Sequence, residues 1–249
     1  MNTNSSFNLQ VDVMQYPVFT GKVSDITFTK SLLVIQTINA YSYVMAQRTV
    51  AFKTALQQAD ILIADGFPIV LAAKLLKKQN ISKIAGADLF FHFMNIMEQQ
   101  HGRVFFIGSA NNTLEKIKQR VAVDYPHISV GVYSPPYKAS FSKDDSVEML
   151  SQINAFSADV VYVGMTAPKQ EVWVNSNKEQ IQAKAICSIG AVFDFYAGTV
   201  QRAPQWMINV KAEWFYRLVR EPKRMWRRYL VYSPLFFRDL LLYMLSIKK

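Results

Sequence analysis

The sequence predicts an α/β fold, a Rossmann-like and mostly parallel sheet with helices on both faces. Two observations lead to this prediction: short apolar runs rich in Val, Ile and Phe recur along the chain, and stretches with helical spacing separate most of them. The runs are almost continuously apolar, as expected of parallel strands that are buried on both faces. The chain has 249 residues, of which 51% are hydrophobic and 18% charged. This composition allows a sizeable core and excludes a disordered protein.

The individual elements follow from these patterns. The predicted strands are SLLVIQT (31–37), ILIA (61–64), VFFIG (104–108), ISVGVY (128–133), DVVYVG (159–164) and AICSIG (185–190). The stretches with helical spacing are YSYVMAQRTVAFKTALQQ (41–58), NTLEKIKQRVAVDY (112–125) and DDSVEMLSQINAF (144–156). Asn111 or Asn112 is expected to cap the second of these helices, and Ser142 begins the third.

The segment DILIADGFP (60–68) contains an apolar strand that ends in a carboxylate. At the carboxyl end of a central parallel strand, Asp65 would face the crevice in which such sheets bind ligands. Gly66 permits a tight turn there and leaves room for a substrate, so it is a candidate binding residue. Pro68 then suits the first turn of the next helix. The alternative reading is that Asp65 is a helix N-cap.

Other residues follow predicted strands in the same way and are therefore expected at the same edge of the sheet. The candidates for substrate binding are Asn39, Gly108, Asp194, and Pro168 and Gln170 within MTAPKQE (165–171), with Thr37 beside them. The helix after Gly108 can offer backbone N–H groups to a phosphate. The proline-rich segment YSPPYKAS (133–140) is either a loop that lines the crevice or an exposed connection without a functional role.

Several other functions lack their sequence signatures. In VFFIGSANNT (104–113), Ala110 stands where a dinucleotide fingerprint has its second glycine, and no Gly-x-Ser-x-Gly elbow of a hydrolase occurs. There is no Asp-x-Asp pair, and the three His residues are scattered, so we expect no metal site and no cofactor. The single cysteine, Cys187, is expected to be buried and inert. The polar start lacks the features of a signal peptide, so we expect a cytoplasmic protein.

Residues 211–249 are predicted to form a basic, aromatic, helical appendage to a core of residues 1–210. The appendage has ten Lys and Arg against three acidic residues, a net charge of +7 out of the chain's +10. Arg238 and Asp239 break its apolar stretch, which leaves less than the roughly 20 apolar residues that span a bilayer. Interleaved Arg and aromatic residues are typical of helices on an anionic membrane surface. An RNA-binding patch and a packed helix with a solvated basic face are the alternatives, and the apolar LLLYMLSI (240–247) favours lipid.

A set of short motifs then resembles one protein family, the WecG/TagA/CpsF glycosyltransferases. The motifs are ADG (64–66), AGADL (85–89), VFFIG (104–108), VGMTAPKQE (163–171), IGAVFDFYAG (189–198), RAPQW (202–206) and EWFYRLVREPKRMWRR (213–228). Each motif alone is weak, but their common order from about Thr37 to Arg228 is specific. Thr166 and Ala167 stand where the family more usually has Gly-x before the proline.

The resemblance implies an inverting transfer of a sugar from a UDP-sugar to a polyprenyl-diphosphate-linked saccharide, during assembly of surface polysaccharide on the inner face of the plasma membrane. Family members transfer N-acetylmannosamine, N-acetylmannosaminuronic acid or glucose, so the donor sugar stays open. The resemblance places the catalytic base at Asp65, an active-site threonine at Thr37, a binding glutamine at Gln170, and diphosphate-binding arginines at Arg217, Arg224 and Arg227.

A non-catalytic protein that binds nucleotide-sugars or RNA on the same fold is the rival hypothesis, although we expect no nucleic-acid partner. Self-association into a homo-oligomer is a further expectation, because an appendage that leaves its core exposes apolar surface.

Overall fold

The computed structural model describes residues 9–29, 31–201, 203, 204, 206, 207, 210 and 212–247. The polar start (residues 1–8) and Lys211, at the predicted domain boundary, lie outside the described residues. The division at residue 210 therefore stays a prediction.

One eight-stranded sheet forms the centre of the molecule, in the order β1-β2-β4-β3-β8-β7-β5-β6. Its strands are β1 (Gln10–Val13), β2 (Tyr16–Phe19), β3 (Leu33–Ile38), β4 (Ile61–Ala64), β5 (Arg103–Gly108), β6 (Ser129–Tyr133), β7 (Val160–Gly164) and β8 (Ala185–Ser188). All neighbouring pairs are parallel except β1 and β2. The predicted fold class is confirmed, and each predicted strand is present within two residues of its expected bounds.

The antiparallel hairpin of β1 and β2 is not among the predicted strands. Met14 (φ 53°) and Gln15 (φ 73°) form its two-residue turn in the left-handed conformation. Hairpin turns of this kind usually contain Gly, Asn or Asp, so the usual sequence signal is missing here.

Eleven described α-helices accompany the sheet. They are α1 (Ala40–Ala46), α2 (Val50–Gln57), α3 (Phe67–Lys77), α4 (Gly86–Gln100), α5 (Asn111–Asp124), α6 (Lys143–Phe156), α7 (Lys169–Asn177), α8 (Val192–Tyr196), α9 (Glu213–Arg220), α10 (Pro222–Trp226) and α11 (Ser233–Ile247). The predicted helical stretch 41–58 is two helices, α1 and α2. Ser142 caps α6, because its Oγ accepts a hydrogen bond from the backbone N–H of Asp145 at 3.1 Å.

The helices cover both faces of the sheet. On one face, side chains such as Phe93 of α4, Leu114 of α5 and Phe193 of α8 pack on the strands. Helices α1, α2, α3, α6 and α7 cover the other face. Successive side chains of a strand point to opposite faces of the sheet, so each strand contributes to the cores on both faces. Ile61 packs in the core on the first face and its neighbour Leu62 in the core on the second. Cys187, as predicted, is a buried free thiol in the first core.

The C-terminal appendage is helical, as predicted, with a π-helical segment (Arg227–Tyr232) between α10 and α11. It is joined to the core by α11, whose Phe236 and Leu240 are buried in the same cluster as Tyr43 of α1. Within the described residues, no helix combines the length and the apolar character needed to cross a membrane.

Candidate active site

Two adjoining cavities open at the edge of the sheet where the parallel strands end. The larger, about 670 Å³, lies beyond β5 and β7, and the smaller, about 110 Å³, lies beyond β3 and β4. The larger volume falls in the range of roughly 300–1,000 Å³ that is usual for small-molecule sites. The residues that line both cavities are Met165, Thr166, Gly190, Ala191 and Arg224. The cavities therefore share a wall.

Asp65 lines the smaller cavity, directly after β4. Its backbone N–H donates to the carbonyl oxygen of Ile38 at 2.9 Å, which continues the ladder between β4 and β3 beyond the end of β4. The N-cap of α3 is Gly66, with φ at 153°, so the alternative reading of Asp65 as a helix cap is wrong. Burial raises the pKa of Asp65, while the positive charges of Lys83 and Arg217 oppose that rise.

Thr37 and Asn39 stand beside Asp65 in the wall of the smaller cavity. Thr37 is the penultimate residue of β3, and Asn39 is the N-cap of α1. The Oδ1 atom of Asn39 accepts a hydrogen bond from the backbone N–H of Ser42 at 3.0 Å, so this side chain has a structural role as well.

The segment after β7 leads into α7 and places Gln170 in the first turn of that helix. Gln170 is 4% exposed. Its neighbour Glu171 lines the same cavity, which was not predicted, and burial raises the pKa of Glu171 to about 7. The sequence offers one weak signal for Glu171: it is an acidic residue next to Gln170, in the first turn of a helix. Pro168 is the N-cap of α7, and neither Pro168 nor Gly66 lines either cavity.

Gly108 and the first residue of α5, Asn111, line the larger cavity. A Cβ at Gly108 would lie 2.7 Å from the carbonyl oxygen of Gly164, and its φ is 107°, so only glycine fits there. The prediction that Asn111 or Asn112 caps α5 is wrong, because the N-cap is Ala110, which has no capping side chain. The first turn of α5 is therefore left without a side-chain cap at the cavity.

Asp194 also lines the larger cavity, from the short helix α8. Burial raises the pKa of Asp194, and the positive charge of Arg224 opposes this effect. The segment 134–137 of the proline-rich loop forms another part of the wall, so this loop faces the crevice. Ser134 holds it there by donating its hydroxyl hydrogen to the carbonyl oxygen of Ser109 at 2.7 Å.

The appendage supplies arginines to the site, but not quite the predicted set. Arg217, Arg224 and Arg228 line the smaller cavity, and Arg224 also lines the larger one. Arg227 lines neither; it is exposed and stacks on the ring of Trp226 at 5.2 Å. Arg224 belongs to α10 and Arg228 to the π-helical segment that follows it, and both line the smaller cavity, whereas the side chain of Arg227 lies against Trp226.

The environment of two of these arginines is unusual. Arg228 lies over the ring of Tyr41 at 4.3 Å, and burial lowers the pKa of its guanidinium. The Nε atom of Arg217 is buried and has no hydrogen-bond partner among the described residues. Across all the described residues, no group of three or more His, Cys, Asp and Glu side chains lies close enough together to hold a metal ion.

Comparisons with known proteins agree with the resemblance in the sequence. The profile of the glycosyl transferase WecG/TagA/CpsF family matches residues 5–249. A protein of Bacillus spizizenii, described as an N-acetylglucosaminyldiphosphoundecaprenol N-acetyl-beta-D-mannosaminyltransferase, is 34% identical over 74% of this chain and 70% of its own length. Two further matches have the same description. The Bacillus subtilis protein is 28% identical over 79% of this chain and 75% of its own length. The protein of Staphylococcus aureus strain MW2 is 29% identical over 71% of this chain and 68% of its own length.

Proposed function

This chain belongs to the WecG/TagA/CpsF family and is a glycosyltransferase, and from that premise we propose its reaction: transfer of a sugar from a UDP-sugar to a polyprenyl-diphosphate-linked saccharide, with inversion at the anomeric carbon. The names of the relatives make an N-acetylmannosamine donor and a polyprenyl-diphosphate-linked N-acetylglucosamine acceptor the first pair to test. The product is a lipid-linked precursor of cell-surface polysaccharide.

One observation supports this proposal above all others: a half-buried carboxyl group and a set of arginines share one small cavity. Asp65 faces it from the sheet, and Arg217, Arg224 and Arg228 face it from the appendage. An inverting transfer needs a base for the acceptor and positive charge for the leaving diphosphate. The larger cavity next to it has the volume for a nucleotide.

In the proposed reaction, the acceptor hydroxyl oxygen attacks the anomeric carbon from the face opposite UDP. The new bond joins the acceptor oxygen to that carbon, the bond between the carbon and the β-phosphate oxygen breaks, and UDP leaves with the bonding electrons. The Asp65 carboxylate takes the hydroxyl proton. A raised pKa makes Asp65 a stronger base than an exposed aspartate, which suits this role.

The leaving UDP gains negative charge that must be stabilised. Arg224 lies where the two cavities meet, so it can contact a diphosphate placed between the nucleotide and the sugar. The buried Nε of Arg217, which has no hydrogen-bond partner in the described part of the chain, is a second donor. Arginines at these positions can stabilise the leaving diphosphate without a metal ion.

We also propose that the appendage holds the protein on the anionic inner face of the plasma membrane. Helix α11 buries Phe236 and Leu240 and packs Leu235, Tyr243 and Met244 against the same core, yet four of its apolar side chains stay open to solvent. Phe237, Leu241, Leu242 and Leu245 are between 41% and 58% exposed, and Arg238 lies among them. A helix with apolar residues on its outer side and nearby arginines is suited to the interface of an anionic bilayer.

The reaction is tested by incubating the purified protein with a panel of UDP-sugars and polyprenyl-diphosphate-N-acetylglucosamine, with and without EDTA. UDP release and the mass of the lipid product are measured, and the anomeric configuration follows from NMR of that product. A β-linked product that forms in EDTA supports the proposal. Binding of UDP without turnover of any donor would favour the non-catalytic hypothesis.

Membrane association is tested by co-sedimentation with vesicles that contain phosphatidylglycerol. The triple variant F237S/L241S/L245S should lose sedimentation, whereas V123S, which changes an exposed valine on α5 (80% exposed), should not. Equal binding of both variants and the unchanged protein would contradict this role of α11.

A further inference from the structure

The amide group of Gln170 is held at both ends by hydrogen bonds within the protein. Its Oε1 accepts from the backbone N–H of Met165 at 3.1 Å, and its Nε2 donates to Oε1 of Glu171 at 2.8 Å. Since a backbone N–H can only donate, the Met165 bond requires the oxygen of the amide on that side. The nitrogen must then face Glu171, so the orientation of this amide is determined.

The bond to Glu171 accounts for one of the two hydrogens on Nε2. The second remains for another acceptor, and the Gln170 side chain lines the smaller cavity. A Cβ at Gly190 would lie 3.7 Å from Oε1 and 3.8 Å from Nε2 of this amide, so Gly190 lies directly against it. Because Gly190 lines both cavities, the amide lies close to their junction.

Glu171 is an unexpected residue at this place if its purpose is stability. The side chain is 1% exposed, and its Oε2 has no hydrogen-bond partner among the described residues. A buried carboxyl with an unpaired oxygen destabilises a fold, whereas an apolar side chain at the same position of α7 would join the neighbouring core. The hydrogen bond that its side chain does make among the described residues is the one from Gln170, and the positive charge of Arg228, in the same cavity, opposes the rise of its pKa.

We propose that Glu171 is a positioning residue: its carboxyl group orients the Gln170 amide so that the remaining Nε2 hydrogen is presented to the transferred sugar at the junction of the two cavities. This inference rests on the proposed glycosyltransfer. A carbonyl oxygen on residue 171 can accept the bond from Gln170 in either protonation state of the carboxyl. Glu171→Gln therefore keeps an acceptor for the hydrogen bond from the Gln170 amide, and Glu171→Leu removes that acceptor.

The test is a double-mutant cycle on kcat with Q170A, E171L, E171Q and the double variant Q170A/E171L. Loss of orientation of a group that contacts substrate lowers kcat by up to about 100-fold, which is the expectation for E171L. E171Q should retain kcat close to that of the unchanged protein. In the Q170A background, E171L should have almost no further effect, because the group that it positions is already gone.

Val174→Ala is the matched control for packing, since Val174 is a fully buried residue of the same helix that faces the apolar core. It should lower the melting temperature without coupling to Q170A. The inference is overturned if E171L and Q170A act additively, if E171Q is as impaired as E171L, or if V174A couples to Q170A as strongly as E171L does.

A second readout does not depend on turnover. In ¹⁵N–¹H spectra, the side-chain amide of Gln170, identified by its loss in Q170A, should have shifted, slowly exchanging hydrogens in the unchanged protein and in E171Q. These signals should move to the positions of a free glutamine in E171L. Unchanged signals in E171L overturn the inference. If no donor is turned over but the signals behave as expected, the proposed function fails and the hold on Gln170 stands.

Discussion

The two halves of the site are built very differently. Asp65 and Thr37 lie at the ends of fully paired parallel strands, and the four residues of β4 before Asp65 are all buried. The arginines lie on the appendage, where the apolar side chains of α9 are largely exposed and none is fully buried. The site thus combines a half on the sheet, which holds the proposed base, with a half on the appendage, which holds the proposed diphosphate-binding arginines and is joined to the core mainly by α11.

This difference shows how the two tasks can be separated. Changes in the sheet half should affect the chemical step and leave UDP binding intact, because the strands and their core stay in place. Changes in the appendage half should weaken stabilisation of the diphosphate.

The largest expected effect is in the sheet half, for Asp65→Asn. The amide cannot take the acceptor proton, so kcat should fall by about 10²- to 10⁴-fold, the usual contribution of general-base catalysis. UDP affinity, measured by calorimetry, should change little. Near-normal turnover in the D65N protein would rule out Asp65 as the base.

In the appendage half, Arg224→Gln should lower kcat/KM by about 10²- to 10³-fold, as for removal of one preorganised donor to developing negative charge. Arg227→Gln is its control, since Arg227 has the same chemistry and lies three residues away, outside both cavities. Steady-state kinetics with the lipid-linked acceptor compare the two. Equal losses would restore Arg227 to the site and contradict the arrangement seen here.

Between the halves lies Glu171, whose raised pKa predicts a dependence of stability on pH. Burial raises the pKa from 4.5 to about 7, so between these values the folded protein holds a proton that the unfolded chain has released. Stability from this group is present below pH 4.5 and is lost as pH rises through 7. As pH rises across this range, the free energy of unfolding of Glu171→Gln should increase by about 3 kcal/mol relative to that of the unchanged protein, at 1.36 kcal/mol per pKa unit.

Urea unfolding of both proteins from pH 4.5 to pH 8 measures this gain. Comparison of the two isolates Glu171, because the other carboxyl groups with raised pKa are common to both. A constant difference in the free energy of unfolding across this range would show that the carboxyl does not titrate there.

The smallest expected effect comes from Lys83, which forms an ion pair with Glu213 of α9 at 3.6 Å and lowers the pKa of Asp65. Asp65 acts as a base only when ionised, so kcat/KM should fall as pH falls through its pKa. Lys83→Met removes a positive charge and should move this acid limb to higher pH by a fraction of a unit, since Lys83 is partly solvated. A pH–rate profile measures the shift, and a limb that moves to lower pH would contradict the assignment.

Much of this arrangement is already present in the local sequence. Apolar runs with period and length typical of buried strands predicted the parallel strands, and the rule that loops after such strands meet at one edge brought Asp65, Thr37, Asn39 and Gln170 to one cavity. The hairpin of β1 and β2 was missed because Met14 and Gln15 carry no turn signal, although the chain adopts the turn when paired strands enforce it.

The sequence by itself determined the fold class, the family and the residues at the strand ends, because periodicity and strand-end position are local properties of the chain. Only the tertiary structure decided that Arg228 rather than Arg227 joins Arg217 and Arg224, because that choice depends on how the appendage helices are rotated against the core. It also decided that Glu171 is buried beside Gln170. The pKa of the Glu171 carboxyl is raised because packing removes this group from water.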